Sequence, residues 1–226
     1  LNVSLWENFW FGLKLVLPII VVTYATGLII EFIFAQIRHH EVNEGFLVTG
    51  ILIPLIMPVD VPLWIVAVAT AFSVIFVKEA FGGTGMNVFN PALVARAFVF
   101  FAYPSKITGD KVWINGLSDG LKTVDGVTGA TPLSEAALDK IDMLPSLSDL
   151  FFGFIPGSIG ETSTLAILIG AFVLIATGVG SWKIMVSGVI GAALTAMMFN
   201  AVGLTALMNF DWIDHLVVGG FAFGIV

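Results

Sequence analysis

The sequence predicts an all-α integral membrane protein, a multi-span helical bundle that contains broken half-helices. Two observations lead to this fold class. The 226 residues are 58% hydrophobic and only 11% charged, with a mean hydropathy of +1.03, whereas soluble domains are about one-quarter charged. The apolar residues also form long runs, several of which approach the roughly 20 helical residues that cross a bilayer.

The same composition excludes several classes of function. The formal net charge of −7 argues against nucleic acid as a partner, because such proteins need basic surfaces that contact phosphates. The chain has no cysteine, which excludes disulfides, thiolate zinc sites and cysteine-ligated iron–sulfur clusters. Its three histidines are too few for a dense metal or haem cluster.

Charge divides the chain into three predicted regions. Eleven of the twenty-five charged residues lie between Tyr103 and Leu150, so we expect an extramembrane loop at 104–149 between membrane regions at 1–103 and 150–226. The apolar runs are Phe9–Ile37, Phe46–Met57, Leu63–Val77, Thr162–Val179, Ile184–Val202 and a last run from Leu216. Since that last run is still apolar at Val226, we expect the second membrane region to be truncated and the chain to be part of a larger protein.

Basic residues in short loops predict the orientation. Arg38, Lys78 and Lys183 follow or separate predicted spans, and alternating spans place all three on one side of the membrane. By the positive-inside rule that side is the cytoplasm. The 104–149 loop then lies on the opposite side.

Two segments predict broken helices. Phe46–Met57 is too short to cross alone, and the glycine-rich stretch Gly82–Asn90 precedes the short run Pro91–Tyr103. Non-helical backbone at membrane depth requires protein or an aqueous cavity around it. Asn as a cap followed by Pro is a typical helix start, so we predict a half-helix whose N-terminus lies within the protein. The alternative is a cytoplasmic loop before an ordinary short helix.

Carboxylates next to apolar runs are candidates for a path of a transported cation. Intramembrane charges are costly and commonly functional, and hard cations such as Na⁺ prefer oxygen ligands. The alternative is that these acids lie at the interface or pair with neighbouring bases. The candidates are Glu31, Glu41, Glu44 and Glu79.

The polar loop contains a run of small residues that ends in a threonine. The run is Asp125-Gly126-Val127-Thr128-Gly129-Ala130-Thr131. Its residue types predict an accessible turn with an exposed hydroxyl. The simplest interpretation is a turn into a helix at Leu133–Leu138, with Thr131 as the cap and Glu135 in the first turn.

This run resembles the flavinylation motif of membrane subunits that carry FMN on threonine through a phosphoester bond. Four further blocks extend the resemblance over almost the whole chain: HEVNEGFLVTGILIPL, KEAFGGTGMNVFNPALVARAFVFFAYP, IPGSIGETSTLA and HLVVGGFAFG. Together they are similar to the NqrB family, membrane subunits of the sodium-translocating NADH:quinone reductase (Nqr). In that family the last threonine of the motif is the acceptor, which corresponds to Thr131. The cofactor-binding set is completed by Asp125, Gly126, Thr128, Gly129 and Ala130.

The resemblance implies an inverted-repeat fold similar to urea transporters, and electron transfer from NADH to ubiquinone coupled to Na⁺ export. It implies covalent FMN, with non-covalent riboflavin as a further cofactor to consider, and no catalytic side chain of the chain's own. The implied partners are the other Nqr subunits, ubiquinone, membrane lipid and a Mg²⁺-dependent flavin transferase that uses FAD. The implied location is the bacterial inner membrane, with the FMN loop periplasmic, and the isolated chain is not expected to be active alone.

Two alternatives remain open from the residues. The first is the RnfD component of an Rnf-type ferredoxin:NAD oxidoreductase, which shares the flavinylation motif but differs in the glycine-rich block. The second is a channel or transporter for a small solute, the usual function of a broken-helix fold, which has no use for Asp125–Thr131.

Overall fold

The computed structural model describes residues 4–39, 41–42, 44–108, 113–116, 131–132, 135, 145–203, 212–217 and 221–226. Every regular element within these ranges is a helix, which confirms the all-helical fold class. The chain forms two compact units, Leu1–Lys122 and Thr123–Val226. The division into regions 1–103, 104–149 and 150–226 stays a prediction.

Helix α1 (Leu5–Arg38) opens the first unit and has 34 residues, a length of about 51 Å at 1.5 Å per residue. A capping box starts it: Ser4 Oγ accepts a hydrogen bond from the Trp6 N–H, and the Glu7 carboxylate accepts one from the Ser4 N–H. The helix ends where His39 adopts a left-handed backbone with φ of 55°. The predicted first span is confirmed as a continuous helix.

Two further helices pack against α1. Helix α2 (Gly45–Ile56) has 12 residues, about 18 Å, which confirms that this run is too short to cross a bilayer alone. Helix α3 (Leu63–Ser73) continues into a π-helical turn, Val74–Lys78, and a 3₁₀ turn, Glu79–Phe81. Helix α1 contacts both α2 and α3, so the three elements enclose the core of the first unit.

Helix α4 (Pro91–Ala102) begins where the sequence predicts a half-helix. Asn90 Oδ1 accepts hydrogen bonds from the N–H groups of Ala92 (2.8 Å) and Leu93 (3.3 Å), and the proline at the first position has no N–H to leave unpaired. The preceding residues 82–90 form turns and bends. The chain is therefore not one continuous helix through this region, which confirms the predicted break.

The second unit contains five described helices: α5 (Leu147–Phe152), α6 (Thr164–Ala176), α7 (Trp182–Val202), α8 (Trp212–Val217) and α9 (Phe221–Ile225). Helix α5 contacts α6, and α8 contacts α5 and α7. The short α9 lies against both α6 and α7. The long α7 confirms the predicted span in this part of the chain.

The apolar run Thr162–Val179 does not form the full span that its length suggests. Helix α6 has 13 residues, about 20 Å, which is less than the roughly 30 Å hydrocarbon core. Ser163 starts the helix by accepting a hydrogen bond from the Ala166 N–H. Gly178, with a φ of 75°, turns the chain away at the other end, so local capping shortens the element.

Within the part of the chain that the structure describes, three stretches are long and apolar enough to cross a membrane: Trp6–Arg38, Leu63–Phe81 and Trp182–Val202. These helices and the apolar composition identify a membrane protein. Shorter apolar helices alternate with the candidate spans along the sequence. This order agrees with a bundle that contains both full spans and partial helices.

Candidate functional site

The first unit buries a carboxylate–ammonium pair between α1 and the π-helical turn. Lys78 Nζ donates a hydrogen bond to Glu31 Oε1, and the two side chains are only 3% and 4% exposed. Glu31 lies two helical turns before the end of α1, and Lys78 is the last residue of the π-helical turn. A buried charge without a partner costs several kcal/mol, so each of these groups stabilises the other.

A second ion pair lies beside the first. Arg38 Nη1 is 3.4 Å from Glu79 Oε2, and Arg38 Nη2 donates to the Glu79 carbonyl oxygen at 2.7 Å. The Glu79 side chain is 3% exposed and that of Arg38 is 34% exposed. The guanidinium carbon of Arg38 also lies 5.2 Å from the centre of the Phe34 ring, a favourable cation–π geometry.

The four residues Glu31, Arg38, Lys78 and Glu79 form what we call the charge cluster. Two carboxylates face two basic groups, so its formal charges sum to zero. Lys78 and Glu79 are adjacent in the chain and both are buried, at the junction of the π-helical and 3₁₀ turns. Such π-helical turns are frequent at functional sites.

Phe46 fixes the start of α2 against the charge cluster. Its ring is fully buried, and Lys78 Nζ lies 5.4 Å from the ring centre. The ring also packs on the backbone of Gly27, where an added Cβ would overlap it. Tyr24 strengthens the contact between α1 and α2, because its hydroxyl donates to the Leu47 carbonyl oxygen at 2.6 Å. Glycine at position 27 is therefore a packing requirement.

A cavity of about 310 Å³ adjoins the charge cluster at Lys78. Its walls come from α2, the π-helical turn, the segment 82–90 and the start of α4. The polar residues of the lining are Thr49, Lys78, Thr84, Asn87 and Asn90. The first two residues of α4, Pro91 and Ala92, are buried, whereas the cap Asn90 and most of residues 81–90 are exposed. That the half-helix starts within the protein stays a prediction.

The four candidate acids separate into two groups. Glu31 and Glu79 are buried in the charge cluster, whereas Glu41 and Glu44 are exposed. Among the described residues no group of three or more His, Cys, Asp or Glu side chains is placed to hold a metal ion. The structure thus brings two of the four acids together with bases, and a role for any of them in a Na⁺ path stays a prediction.

The pairing of Lys78 with Glu31 is not evident from the sequence. In the sequence Lys78 indicates orientation and is a candidate local partner for neighbouring acids, whereas Glu31 is 47 positions away. One signal was present: Glu31 and Lys78 are opposite charges at ends of predicted spans that the alternating order brings to the same side.

A different polar cluster lies where α2 ends. Arg96, on α4, donates to the Ile56 carbonyl oxygen at 3.1 Å, and its guanidinium carbon lies 5.7 Å from the centre of the Trp113 ring. The Gly116 N–H donates to Asp60 Oδ2 at 2.7 Å. These contacts attach the described start of the polar loop to the turn between α2 and α3. The sequence signal for Arg96 was its position as the charged residue of an apolar half-helix.

The first unit has Arg38 and Lys78 at one end and the entry to the polar loop at the other, an arrangement that the orientation prediction requires. Arg38 and Lys78 lie together in the charge cluster. At the other end of α3, the rings of Trp64 and Tyr103 are 5.4 Å apart, so the chain enters the polar loop at the end opposite the charge cluster. Which end faces the cytoplasm stays a prediction.

Thr131 lies at the start of a helical turn in the second unit. Its carbonyl oxygen accepts a hydrogen bond from the Glu135 N–H at 3.0 Å, which agrees with the predicted helix start. Thr131 is partly exposed, whereas Pro132 and Glu135 are buried. A partly exposed side chain beside an anchored turn fits a hydroxyl that an enzyme must reach.

The remainder of the predicted flavin site lies outside the described residues, namely Asp125, Gly126, Thr128, Gly129 and Ala130. The acceptor role of Thr131 stays a prediction. What the described residues show is that Thr131 is partly exposed and begins a turn in which Pro132 and Glu135 are buried.

Comparison with known proteins gives consistent similarities. The chain matches the NQR2, RnfD, RnfE family over residues 1–226. It is 52% identical to the NqrB component of a Na⁺-translocating NADH-quinone reductase from Chromohalobacter salexigens, over 99% of this chain and 54% of that protein. Proteins of the same name from Stutzerimonas stutzeri and Pseudomonas aeruginosa PAO1 are 48% and 46% identical, each over 99% of this chain and 55% of the relative. The chain spans about half the length of these curated relatives.

Proposed function

We propose that the chain acts in a membrane subunit of a Na⁺-translocating NADH:quinone reductase and carries FMN covalently on Thr131. The chain belongs to the NQR2, RnfD, RnfE family. The observation that carries this proposal is the acceptor motif Asp125–Thr131 within a chain of this family. The names of the relatives support the reductase. The other Nqr subunits, ubiquinone and lipid are the proposed partners.

The proposed attachment uses few groups of the protein. When bound, FMN supplies the redox chemistry, and the protein supplies placement and electrostatics. The Thr131 hydroxyl oxygen would form the phosphoester, and the residues Gly129 and Ala130 would leave it sterically open to a transferase. A phosphodiester retains one negative charge, and nearby lysines of the polar loop are candidates to offset it: Lys106, Lys111 and Lys122.

The proposed Na⁺ path passes the charge cluster. Glu31 and Glu79 support it because they are carboxylates inside an apolar unit, beside a cavity with polar walls. Glu41 and Glu44 are exposed residues before α2 and remain candidates for the entrance. We further propose the inverted-repeat fold of urea transporters, which the capped half-helix α4 supports.

One other function has a specific observation in its favour. The family also includes Rnf proteins, so the RnfD component of an Rnf-type ferredoxin:NAD oxidoreductase is the second candidate. The assembled complexes differ in their electron donors and acceptors. Na⁺-stimulated quinone reduction by NADH supports the first function, and ferredoxin-dependent NAD⁺ reduction supports the second.

The flavin site is tested by peptide mass spectrometry of the full-length subunit after co-expression with its flavin transferase. We expect wild type to carry FMN on the peptide that contains Thr131 and Thr131→Ala to carry none, while still inserting into membranes. Thr128→Ser is the matched control and should keep the flavin, because the motif accepts either hydroxyl residue there. Flavin mapped to Thr128, or undiminished labelling of Thr131→Ala, would contradict the proposal.

We propose the bacterial inner membrane as the location, with the FMN loop in the periplasm. Single cysteines at Ser118 and Ser181 test this with a membrane-impermeant thiol reagent. Residues 1–226 contain no native cysteine, and the full-length subunit without either substitution is the control for labelling elsewhere. We expect only Ser118→Cys to react in cells whose outer membrane has been permeabilised and whose inner membrane is intact. Reaction of both residues from the same side would refute this topology.

A further inference from the structure

Lys78 faces two environments. Its ammonium is paired with Glu31, and its side chain also lines the cavity between α2 and the start of α4. Lysine carries its charge on a flexible four-carbon stem, so the ammonium can move without movement of the backbone. The π-helical turn that ends at Lys78 therefore places a flexible charged side chain between a buried carboxylate and a partly polar cavity.

The charge balance makes Lys78 relevant to a cation at Glu31. The Glu31 carboxylate carries one negative charge, and Lys78 already balances it. A Na⁺ ion that binds this carboxylate while Lys78 stays in place adds an unbalanced positive charge to a buried site, which is strongly unfavourable. Binding of Na⁺ and retention of Lys78 thus exclude each other at Glu31.

The second carboxylate of the cluster is not the natural destination for a displaced Lys78. Glu79 is already held by Arg38 through both its carboxylate and its carbonyl oxygen. The cavity provides another destination, with Thr49, Thr84 and Asn87 in its walls. Its volume of about 310 Å³ is large enough for several waters, which can hydrate an ammonium.

We propose that Lys78 is a tethered counter-ion of Glu31 and that Na⁺ displaces it into this cavity. The inference rests on the proposed Na⁺-translocating function and deepens it. Lys78 is a positioning residue, since it controls the availability of the Glu31 carboxylate without binding Na⁺ itself. The Phe46 ring, 5.4 Å from Nζ, stabilises the ammonium from one side and keeps the tether near the carboxylate.

The test uses the assembled complex with the full-length subunit in membranes. NADH-driven quinone reduction is titrated with NaCl at constant ionic strength, with choline chloride as the balancing salt. If Lys78 occupies Glu31 about nine-tenths of the time, Lys78→Met lowers the half-saturating Na⁺ concentration about tenfold. Lys78→Arg keeps a tethered charge and should require at least the wild-type Na⁺ concentration. Lys14→Met, at an exposed position of α1, is the matched control and should leave the titration unchanged.

A second measurement uses the wild-type complex and so does not depend on the folding of a variant. Lys78 is modified with a small amine-reactive imidate in Na⁺ or in choline, and the modified peptide is quantified by mass spectrometry. We expect modification at least about threefold faster in Na⁺, because displacement moves the ammonium into the cavity. Lysine at position 14 should react at the same rate in both salts.

The outcomes distinguish the two proposals. A wild-type complex whose quinone reduction does not respond to Na⁺ refutes the proposed function. A Na⁺-responsive wild type whose Lys78 labelling is the same in both salts overturns the tethered counter-ion alone, and so does a Lys78→Met complex with an unchanged or raised half-saturating Na⁺ concentration.

Discussion

The two units of the chain use helices of similar apolar character in different ways. Within an 18-residue apolar window of each candidate span, half of the residues are buried in Leu63–Phe81, compared with 22% in Trp6–Arg38 and 11% in Trp182–Val202. The first unit encloses charged side chains, whereas α6 and α7 direct large apolar side chains outward, among them Leu168, Phe172, Ile184, Ile190 and Leu194. Helix α1 of the first unit also exposes large apolar side chains, among them Phe9, Ile29 and Phe32. The two units therefore differ in how deeply the span Leu63–Phe81 is buried and in the charged side chains enclosed beside it.

The enclosed charges and the placement of some glycines contribute to this difference. Apolar side chains gain little from association in lipid, so helices there associate through close packing and polar contacts. In the first unit Gly27 and Gly50 admit the rings of Phe46 and Tyr24, and the charge cluster joins α1 to α3. In the second unit Gly188 on α7 packs against Ile225, whereas Gly170 and Gly191 have no atom within 4 Å of an added Cβ, so these two helical glycines do not serve close packing with the described residues of the unit.

The largest expected effect is removal of one charge from the cluster. Lys78→Ala leaves Glu31 buried without its partner and should lower the free energy of unfolding by about 3–5 kcal/mol. Lys14→Ala, at an exposed position, should change it by less than about 0.5 kcal/mol. Chemical unfolding in detergent micelles without Na⁺, followed by circular dichroism, measures both. Equal stability of Lys78→Ala and Lys14→Ala would show that the ion pair has no structural role. It would also weaken the contrast between the two units.

The next effect concerns packing. Gly27→Ala places a Cβ in the Phe46 ring and should destabilise the protein by about 1–3 kcal/mol through overpacking. Gly12→Ala on the same helix meets no atom within 4 Å and serves as the control. Adding Phe46→Leu to Gly27→Ala should recover part of the loss in the same unfolding experiment. No recovery would mean that the strain arises elsewhere in α1.

A smaller effect compares the starts of two helices. Asn90→Ala removes the side-chain cap of α4 and should cost about 1 kcal/mol. Ser181, which precedes α7, makes no side-chain capping hydrogen bond, so Ser181→Ala should cost less than about 0.5 kcal/mol. Thermal denaturation in detergent can rank the two variants. A larger loss for Ser181→Ala would reverse the expected order.

The smallest effect is expected in the second unit. Gly191→Ala, in the open part of α7, should leave stability unchanged or raise it by less than about 1 kcal/mol, because alanine has the higher helix propensity. The unfolding midpoints of Gly191→Ala and Gly27→Ala, measured under the same conditions, compare the two units directly. Destabilisation of more than about 1 kcal/mol would show that α7 is closely packed at Gly191.

Features that depend on neighbouring residues could be predicted from the sequence. The span in α1, the short α2 and the start of α4 follow from runs of apolar residues and from an Asn-Pro cap, since capping acts within one helical turn. The early end of α6 was missed, although Gly178 lay inside the run as a local signal for a helix terminus. Thr131 was singled out by its motif, and the turn to Glu135 agrees with the local prediction.

Features that depend on distant residues required the tertiary structure. The sequence alone determined that this is an apolar helical protein, where its helices break, and which acids are costly to place near hydrocarbon. Only the fold decided that Glu31 meets Lys78, that Glu79 meets Arg38, and that Glu41 and Glu44 stay exposed. The physical reason is that hydropathy and capping act over a few residues, whereas the partner of a buried charge is set by which helices pack together, here across 47 positions of the chain.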